Sequence, residues 1–287
     1  MVTKTIQTVQ DLQSLITSHK AQGKNIGFVP TMGALHAGHL TLLQQSIDAN
    51  DITICSIYVN PTQFDNKEDL AKYPQVLDAD VKLLESIGVD YCFAPSNPEI
   101  YPDGMDYAIE VNLDGIDEKL EGEHRPGHFA GVVQVVHRLL DIVKPHKLYM
   151  GQKDFQQFTI IQKMISDLEM PIDLVVCPIS REDSGLARSS RNVRLSALDR
   201  ARASIINQTL LEIKEDITTQ SLESLISRAK SRLTWSWTDL EYLEIIDGYT
   251  LDPITNVSNH DYIVAVVAVW IGGVRLIDNR ILLKEEV

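Results

Sequence analysis

The first 180 residues alternate short apolar runs with amphipathic stretches in which apolar residues recur every three or four positions. Runs of the first kind are typical of buried strands, and stretches of the second kind are typical of helices with one buried face. Regular alternation of the two predicts an α/β domain, a Rossmann-like parallel sheet with helices on both faces. The predicted strands cover residues 25–30, 52–59, 91–94, 147–150 and 172–177, and the predicted helices cover 11–22, 39–50, 75–87, 131–143 and 154–166.

The pattern changes after residue 179, where helical stretches are followed by apolar strands separated by turns. The last two strands flank the pair Gly272-Gly273, which is typical of tight hairpins, so we expect them to pair antiparallel. The chain is therefore predicted to form a Rossmann-like domain over residues 1–179 and a smaller C-terminal α+β domain over 180–287. The elements predicted in the second domain are helices at 198–215 and 222–233 and strands at 242–246, 263–270 and 274–278.

Loops that follow strands are the expected location of any chemistry, because ligands of parallel sheets bind outside the carboxyl ends of the strands. One further segment stands out. Residues 114–129 are polar, rich in Gly, Glu and His, and interrupt the alternation of strands and helices. We therefore expect this segment to be a lid or an active-site loop.

Charge and hydropathy narrow the classes of function. The 287 residues include 40 acidic and 26 basic side chains, so the formal charge is −14 and the pI is near 4.9. Such a surface repels a phosphate backbone, which argues against a nucleic acid partner. The longest apolar run, residues 262–271, is too short to cross a bilayer, and the first residues lack an apolar stretch of signal-peptide length. We expect a cytoplasmic protein without a membrane partner.

The three cysteines are far apart in the sequence, and each lies in an apolar, strand-like stretch. Neither a disulfide framework nor a metal knuckle is suggested by Cys55, Cys92 and Cys177. They are predicted to be buried free thiols.

The strongest chemical signal follows the strand at 25–30, where the sequence TMGALHAGH leads into a helix. His36 and His39 bracket Gly38 at this strand-to-helix turn, so both imidazoles and the N-terminal amides of the helix can face one anion. An imidazole donates a hydrogen bond without the strong hydration of an ammonium group, which suits a nucleoside triphosphate. A helix cap with two surface histidines is the alternative that this motif alone leaves open.

The motif and its position resemble the H-I-G-H signature of nucleotidylyltransferases and class I aminoacyl-tRNA synthetases, and the longer string resembles the pantoate–β-alanine ligase family in particular. Four further blocks match that family in order along the chain, which is beyond chance. The resemblance implies ATP-dependent joining of (R)-pantoate to β-alanine through a pantoyl adenylate, with release of AMP and pyrophosphate. With the histidine motif there are five blocks: PTMGALHAGH at 30–39, YVNPTQF at 58–64, RPGHF at 125–129, GQKDFQQ at 151–157 and SSRN at 189–192.

By this resemblance, ATP is the co-substrate and His36, His39 and Lys153 are the catalytic residues. The histidines would hold the phosphates and the leaving pyrophosphate, and Lys153 would reach the phosphates as a mobile point charge. Residues 189–191 are similar to the mobile K-M-S-K-S loop of related enzymes, carried by a smaller domain that closes over ATP. The implied ATP-binding residues are Met32, Gly33, Ala34, Leu35, His36, Ala37, Gly38, His39, Gly151, Gln152, Lys153, Asp154, Ser180, Arg188, Ser189, Ser190 and Arg191.

The local sequence alone leaves several of these assignments open. Lys153 could be a solvated side chain, and residues 189–191 could be ordinary loop. Arg188 departs from the apolar residue that is frequent in the family, so its guanidinium could contact the triphosphate or stay in solvent.

Carboxamides after the strand at 52–59 suit pantoate, because an amide can donate to a carboxylate and accept from a hydroxyl. By resemblance, Gln63 and Gln157 orient pantoate, Gln63 also lies near β-alanine, and Asn60 belongs to the same substrate-binding set. A turn and an exposed helix face are the alternatives for these residues.

Direct protein ligands for a metal are not expected. His124 and His128 are separated by Pro126-Gly127, which rules out a regular helix, and no third ligand is close in sequence, so a zinc site is disfavoured. Asp78 and Asp80 near a helix start could hold Mg²⁺ through water, with Asp80 the candidate for any direct contact. Mg²⁺ is otherwise expected to be carried by ATP.

Two other classes of function remain at this point. A transferase that leaves AMP on its product, or a tRNA synthetase, would share the histidine motif, but the acidic chain lacks length for a tRNA-binding module. A nucleotide-sensing protein without turnover would not need polar groups at several strand ends. The resemblance also implies a homodimer.

Overall fold

A computed structural model describes residues 2–64, 70–71, 73–105, 107 and 109–284. The chain divides into two compact units. Unit 1 comprises Met1–Gly151 and Gln157–Cys177, and unit 2 comprises Gln152–Gln156 and Pro178–Val287.

Unit 1 is built on a six-stranded sheet in the order β1-β4-β3-β2-β5-β6, and all of its strand pairs are parallel. The parallel α/β sheet flanked by helices that the sequence predicts is thereby confirmed. The strands are β1 Lys4–Ile6, β2 Ile26–Thr31, β3 Ile52–Ile57, β4 Tyr91–Phe93, β5 Lys147–Gly151 and β6 Asp173–Cys177. The helices are α1 Val9–Ala21, α2 Ala37–Ala49, α3 Leu77–Ile87, α4 Asn97–Ile100, α5 Glu121–His124, α6 His128–Val143 and α7 Phe155–Asp167, whose first two residues fall in unit 2.

The strand order places a topological switch point at β2. The chain proceeds from β2 to β3 and β4 on one side of the sheet, and β5 and β6 lie on the other side. The crevice at such a switch point is where open α/β sheets bind ligands. Strands β2 and β3 pair in register from Ile26 with Ile52 to Thr31 with Ile57, so the loops after both strands leave the sheet at the same level.

Buried apolar side chains hold these elements together. One cluster joins Val29 of β2, Leu43 of α2, Leu84 of α3 and Tyr149 of β5, which are each at most 2% exposed. Because α2 and α3 both pack into this cluster, the loop that leads from β2 into α2 is attached to a rigid base.

Unit 2 combines helices with an antiparallel sheet in the order β7-β8-β9. The predicted antiparallel hairpin is confirmed: Ile271 pairs with Val274 across Gly272 and Gly273, whose φ values are +56° and +72°. Positive φ at both central residues is what this turn requires. The elements are α8 Ala197–Arg202, α9 Ser204–Asp216, α10 Leu222–Leu233, β7 Thr238–Asp247, β8 Tyr262–Ile271 and β9 Val274–Lys284.

The structure differs from the sequence prediction in several places. The three-residue β1 was not predicted, and the predicted helix at 198–215 is two helices, α8 and α9, separated at Ala203. The segment 114–129 was predicted to be a lid or an active-site loop, a role that stays a prediction, and the structure shows that it contains α5 and the start of α6. Ile116 and Leu120 are buried within it, because these two apolar side chains anchor an otherwise polar stretch.

Candidate active site

The loop between β2 and α2 has a strained backbone that a buried carboxylate holds in place. Gly33 and Ala34 have φ values of +81° and +50°, and the second is unfavourable for a residue with a Cβ atom. Both oxygens of Asp80 accept hydrogen bonds from this loop, from Ala34 N at 2.9 Å and Leu35 N at 2.8 Å. A Cβ atom at position 33 would lie 2.9 Å from Asp80 Oδ2, so glycine is required there.

This geometry gives Asp80 a place that the sequence analysis did not foresee. Its side chain is 1% exposed, and its carboxylate oxygens accept hydrogen bonds from two main-chain N–H groups. The sequence suggested Asp80 as a candidate contact for Mg²⁺, and that role stays an untested prediction. The contacts show that Asp80 positions the loop that leads to His36.

His36 and His39 form a capping box at the start of α2. Gly38 N donates to His36 Nδ1 at 3.1 Å, and His36 N donates to His39 Nδ1 at 3.3 Å. A nitrogen that accepts from an amide carries no proton, so this pattern assigns the hydrogen of each neutral ring to Nε2. The ring centroids are 4.1 Å apart, and the two Nε2–H donors therefore belong to one compact group.

Asn60 follows β3, and its carboxamide is fully buried, with 0% exposure. Its Nδ2 donates to Thr62 Oγ1 at 2.8 Å and to the carbonyl of Gly131 at 3.1 Å, and Tyr101 Oη donates to its Oδ1 at 3.2 Å. The sequence analysis placed Asn60 among the substrate-binding residues. That role stays a prediction; the contacts in the structure show that the side chain organises the loop after β3.

Gln63 ends the short 3₁₀ helix Pro61–Gln63 and is half-buried. Its Nε2 lies 3.1 Å from Met32 Sδ, so a residue after β3 contacts the loop after β2. Sulfur is a weak acceptor, and this donor can exchange it for a better one.

The main chain at Gln63 is held by the start of α6. His128 Nδ1–H donates to Gln63 O at 2.9 Å, and Arg125 Nη1 lies 2.9 Å from His128 Nε2. Gly131, one turn further along α6, allows close approach, because a Cβ atom there would lie 2.5 Å from the carbonyl oxygen of Thr62. The block at 125–129 is thus a support for the loop that carries Gln63.

Gln157 lies in the first turns of α7 and is half-buried. Its carboxamide has no hydrogen-bond partner among the residues that the structure describes.

In unit 2, the turn before α7 carries Gln152, Lys153 and Asp154. Lys153 Nζ contacts Asp154 Oδ1 at 3.1 Å, and the Lys153 side chain is 18% exposed. The side chain of Asn279 on β9 binds the main-chain carbonyls of Gln152 and Lys153, each at 2.9 Å. The backbone of this turn is therefore fixed, while the ammonium group sits at the end of a flexible stem.

A small hairpin precedes the SSR block. Arg181 and Ala187 form an antiparallel bridge, and Arg188 N donates to Ser180 O at 2.9 Å. Arg188 Nε also donates to Arg181 O at 3.0 Å, so the base of this guanidinium is attached to its own hairpin. Whether its remaining donors contact a phosphate stays a prediction.

The SSR block itself is the start of the 3₁₀ helix Ser190–Arg194, and Ser189 is its N-cap, accepting from Arg191 N at 3.2 Å. Asn192 is 3% exposed and donates to Glu182 Oε1 and to the carbonyl of Ala187, each at 3.0 Å. Arg200 donates twice to Glu182, and this pairing holds the pKa of the Glu182 carboxyl below its usual range. Asn192 and Glu182 thus attach the block to the hairpin and to α8.

The sequence as a whole matches a known family. A family model described as pantoate-beta-alanine ligase matches residues 4–281. The chain belongs to the pantoate–β-alanine ligase family.

Relatives in this family cover nearly the whole chain. A pantothenate synthetase of Bacteroides fragilis (strain YCH46) is 47% identical over 277 residues, which is 96% of this chain and 98% of the relative. One from Acetivibrio thermocellus is 44% identical over 284 residues, covering 97% and 99%. The chain is accordingly a ligase of this family.

Solved structures of family members share the fold. The crystal structure of pantothenate synthetase from Thermus thermophilus matches with a TM-score of 0.90 at 36% identity, covering 98% of this chain and 99% of that one. A pantoate-beta-alanine ligase from Francisella tularensis, complexed with beta-gamma ATP and beta-alanine, matches with a TM-score of 0.78 at 38% identity, covering 98% of each chain.

Sequence reasoning missed Asp80 as a loop anchor, and it missed His128, Asn192 and Asn279 as well. Asp80 bonds to an amide 46 residues away, so no local pattern could reveal its partner. For His128 a signal was present, because the block at 125–129 matched the family without an assigned role. Asn279 follows the end of the predicted strand at 274–278 and lies between two charged residues, so no local pattern indicated that its amide is buried.

Metal clusters and membrane-spanning helices are both absent from the part of the chain that the structure describes. Among the described residues, no group of three or more His, Cys, Asp and Glu side chains is placed to hold a metal ion. No helix in the described part of the chain has the length and hydrophobicity needed to cross a membrane.

Proposed function

We propose that the chain condenses (R)-pantoate with β-alanine at the expense of ATP, through an enzyme-bound pantoyl adenylate. The observation that carries the proposal is the pair of imidazoles at the start of α2, each with Nδ1 accepting from a backbone amide, a pattern that assigns the hydrogen of the neutral ring to Nε2. The pair follows the strand at the switch point of a parallel sheet, where a nucleotide is expected. Family membership supplies the identity of the substrates.

In the first step, a carboxylate oxygen of pantoate attacks the α-phosphorus of ATP, and pyrophosphate leaves. Negative charge grows on the transferring phosphoryl group and on the bridging oxygen of the leaving group. His36 and His39 would donate from Nε2 to these oxygens, the N-terminal amides of α2 would add their dipoles, and Lys153 would follow the leaving pyrophosphate. Met32–Leu35 and Gly38 would approach the nucleotide with their backbone.

Pantoate would be held by Gln63 and Gln157. A carboxamide can donate to the pantoate carboxylate and accept from a hydroxyl group of the same molecule. Gln63 Nε2 would exchange its weak contact with Met32 Sδ for a pantoate oxygen. Asn60 would belong to the same substrate-binding set, and its hydrogen bonds would also fix the loop that carries Gln63.

In the second step, the amine of β-alanine attacks the acyl carbon of the adenylate, the amide bond forms, and AMP leaves with the electrons of the broken C–O bond. The attacking amine gives up one proton, which the departing AMP or the solvent accepts, and the reaction needs no covalent enzyme intermediate. The acceleration would come from holding the two substrates together and from excluding water, which would otherwise hydrolyse the activated acyl group.

The remaining expectations belong to this proposal. Mg²⁺ would enter as MgATP, with Asp80 as the candidate residue nearby. Unit 2 would bring Ser180, Arg188 and Ser189–Arg191 to the nucleotide on closing, with Gly151–Asp154 on the triphosphate. The enzyme would work as a cytoplasmic homodimer, which sedimentation at micromolar concentration tests.

The experiment that tests the function is exchange of labelled pyrophosphate into ATP. Pantoate alone should support the exchange, because adenylate formation precedes amide formation, and β-alanine should be unnecessary. Adding β-alanine should then yield AMP, pyrophosphate and pantothenate in equal amounts. Exchange that requires β-alanine would contradict the stepwise route, and AMP retained on the product would indicate a nucleotidyl transferase instead.

A further inference from the structure

Two buried polar residues lie side by side in β9 of unit 2. Asp278 is 4% exposed and Asn279 is 2% exposed, and their strand pairs with the largely apolar strand β8. Burial of a carboxylate and an amide is unfavourable unless each is fully hydrogen-bonded. The hydrogen-bond partners of Asp278 and Asn279 therefore indicate the structural role of each side chain.

All polar atoms of the Asn279 side chain bind the turn that carries Lys153. Its Nδ2 donates to the carbonyl oxygens of Gln152 and Lys153, each at 2.9 Å, and its Oδ1 accepts from Gln152 Nε2 at 3.0 Å. Both amide hydrogens and the oxygen are thus used on two consecutive residues. The turn is therefore attached to β9 through every polar atom of one side chain.

Asp278 holds the main chain of β9 in place at Asn279. Arg181 donates to both oxygens of Asp278, at 2.6 and 2.9 Å, and Asn279 N donates to Asp278 Oδ1 at 2.8 Å. A bidentate arginine–carboxylate pair restrains both partners in one plane. The strand position of Asn279 is therefore rigid, and the rigidity extends to the turn.

We propose that Asn279 is a positioning residue for the reaction: it holds the 152–153 turn so that the Lys153 stem starts from a fixed point. The inference rests on the proposed role of Lys153 at the phosphates. A lysine ammonium is a mobile point charge on four rotatable carbons, so fixing its Cα restricts the region it can reach. Misplacing a catalytic group by about 1 Å can cost on the order of 100-fold in rate.

The test compares Asn279→Asp and Asn279→Ala with the wild-type enzyme. The aspartate keeps the size of the side chain but presents an oxygen to the two carbonyls, and alanine removes the donors without adding charge. Both should slow pyrophosphate exchange, by roughly 10- to 100-fold, while the pantoate KM stays within about a factor of two. The step from preformed pantoyl adenylate to pantothenate should also stay within about a factor of two, because Lys153 serves the leaving pyrophosphate.

A matched control is Asn256→Asp. Asn256 also bonds to the main chain in unit 2, accepting from Ser258 N at 2.8 Å, but it is exposed and lies in a different turn. A carboxylate keeps that acceptor, so this variant should behave as wild type in both half-reactions.

The decisive measurement uses a Lys153→Ala background. If Asn279 acts through Lys153, Asn279→Ala should cause no further loss of exchange once the lysine is absent. Additive losses, equal losses in both half-reactions, or wild-type exchange in Asn279→Ala would each overturn the proposal, as would failure of both variants to fold. Absence of exchange in the wild-type enzyme would instead overturn the proposed function.

Discussion

At the scale of single residues, His39 illustrates how one ring combines a structural and a chemical role. Its Nδ1 accepts from the amide of His36 and completes the capping box of α2. The same bond determines the tautomer and so delivers a donor at Nε2. The sequence suggested a helix cap and a phosphate site as alternatives, but the geometry makes them compatible, because the cap uses one nitrogen of each ring and leaves the hydrogen on the other.

Substituting His39 with asparagine should separate the two roles. The Oδ1 of asparagine takes the position of Nδ1 and can still accept from His36 N, whereas no group replaces the Nε2 donor. We expect pyrophosphate exchange to fall by about 10²- to 10³-fold, as for loss of an oxyanion-hole donor, with the melting temperature nearly unchanged. His39→Gln, which places an amide nitrogen near the Nε2 position, should retain more activity than His39→Asn. Equal activities of the two variants would mean that the cap, and not the donor, is what the reaction needs.

At the scale of elements, the start of α6 packs against the loop after β3 and supports it. Gly127, with φ +83°, ends the preceding loop, and His128 then binds Gln63 O. The helix begins three residues earlier than the predicted 131–143, because the break that Pro126-Gly127 imposes lies immediately before it. The apolar periodicity did predict a helix here, but it could not show that Gly131 touches Thr62, since close approach of two backbones leaves no pattern in the sequence.

Substituting Gly131 with alanine tests this contact between α6 and the loop after β3. The added methyl group would meet the carbonyl of Thr62 at 2.5 Å, and the loop has to shift because the obstacle is main chain. We expect a loss of about 1–3 kcal/mol in the free energy of unfolding and a roughly tenfold rise in the pantoate KM, equivalent to about 1.4 kcal/mol. Ala130→Ser, at the neighbouring exposed position, is the control and should change neither quantity appreciably. A destabilised Gly131→Ala enzyme with an unchanged pantoate KM would show that the loop does not contact pantoate.

Some elements of the fold could be predicted from the sequence and others could not. The long, strongly periodic elements were predictable: the helices and strands around the β2–α2 loop lie within a few residues of their expected positions. What failed was short or non-local. Strand β1 has three residues of which only Ile6 is buried, so it shows no apolar run, and the break at Ala203 follows no proline or glycine. The assignment of residues 152–156 to unit 2 depends on contacts such as those of Asn279, 126 and 127 residues away.

At the scale of the whole molecule, the three thiols report on the integrity of the parallel sheet. Cys55, Cys92 and Cys177 are free and 0% exposed, which confirms the prediction of buried thiols. They lie on β3, β4 and β6, so together they sample the sheet from its interior to one edge. Burial raises the pKa of Cys92 to about 12 and of Cys177 to about 11, and it raises that of Cys55 as well.

Alkylation by iodoacetamide at pH 8 should therefore proceed only when the sheet opens, because the thiols are enclosed and are not ionised in the folded state. Followed peptide by peptide by mass spectrometry, the three cysteines should react at one common slow rate. MgATP or pantoate, each added alone at about 100 times its dissociation constant, should slow that rate by about 100-fold, since binding stabilises the folded form by mass action. Val2→Cys provides the control, because position 2 is 85% exposed and its thiol should react at the rate of a free cysteine under both conditions. Fast alkylation of one native cysteine would reveal a local opening of its strand, and a rate insensitive to both ligands would contradict binding of these substrates by the folded chain.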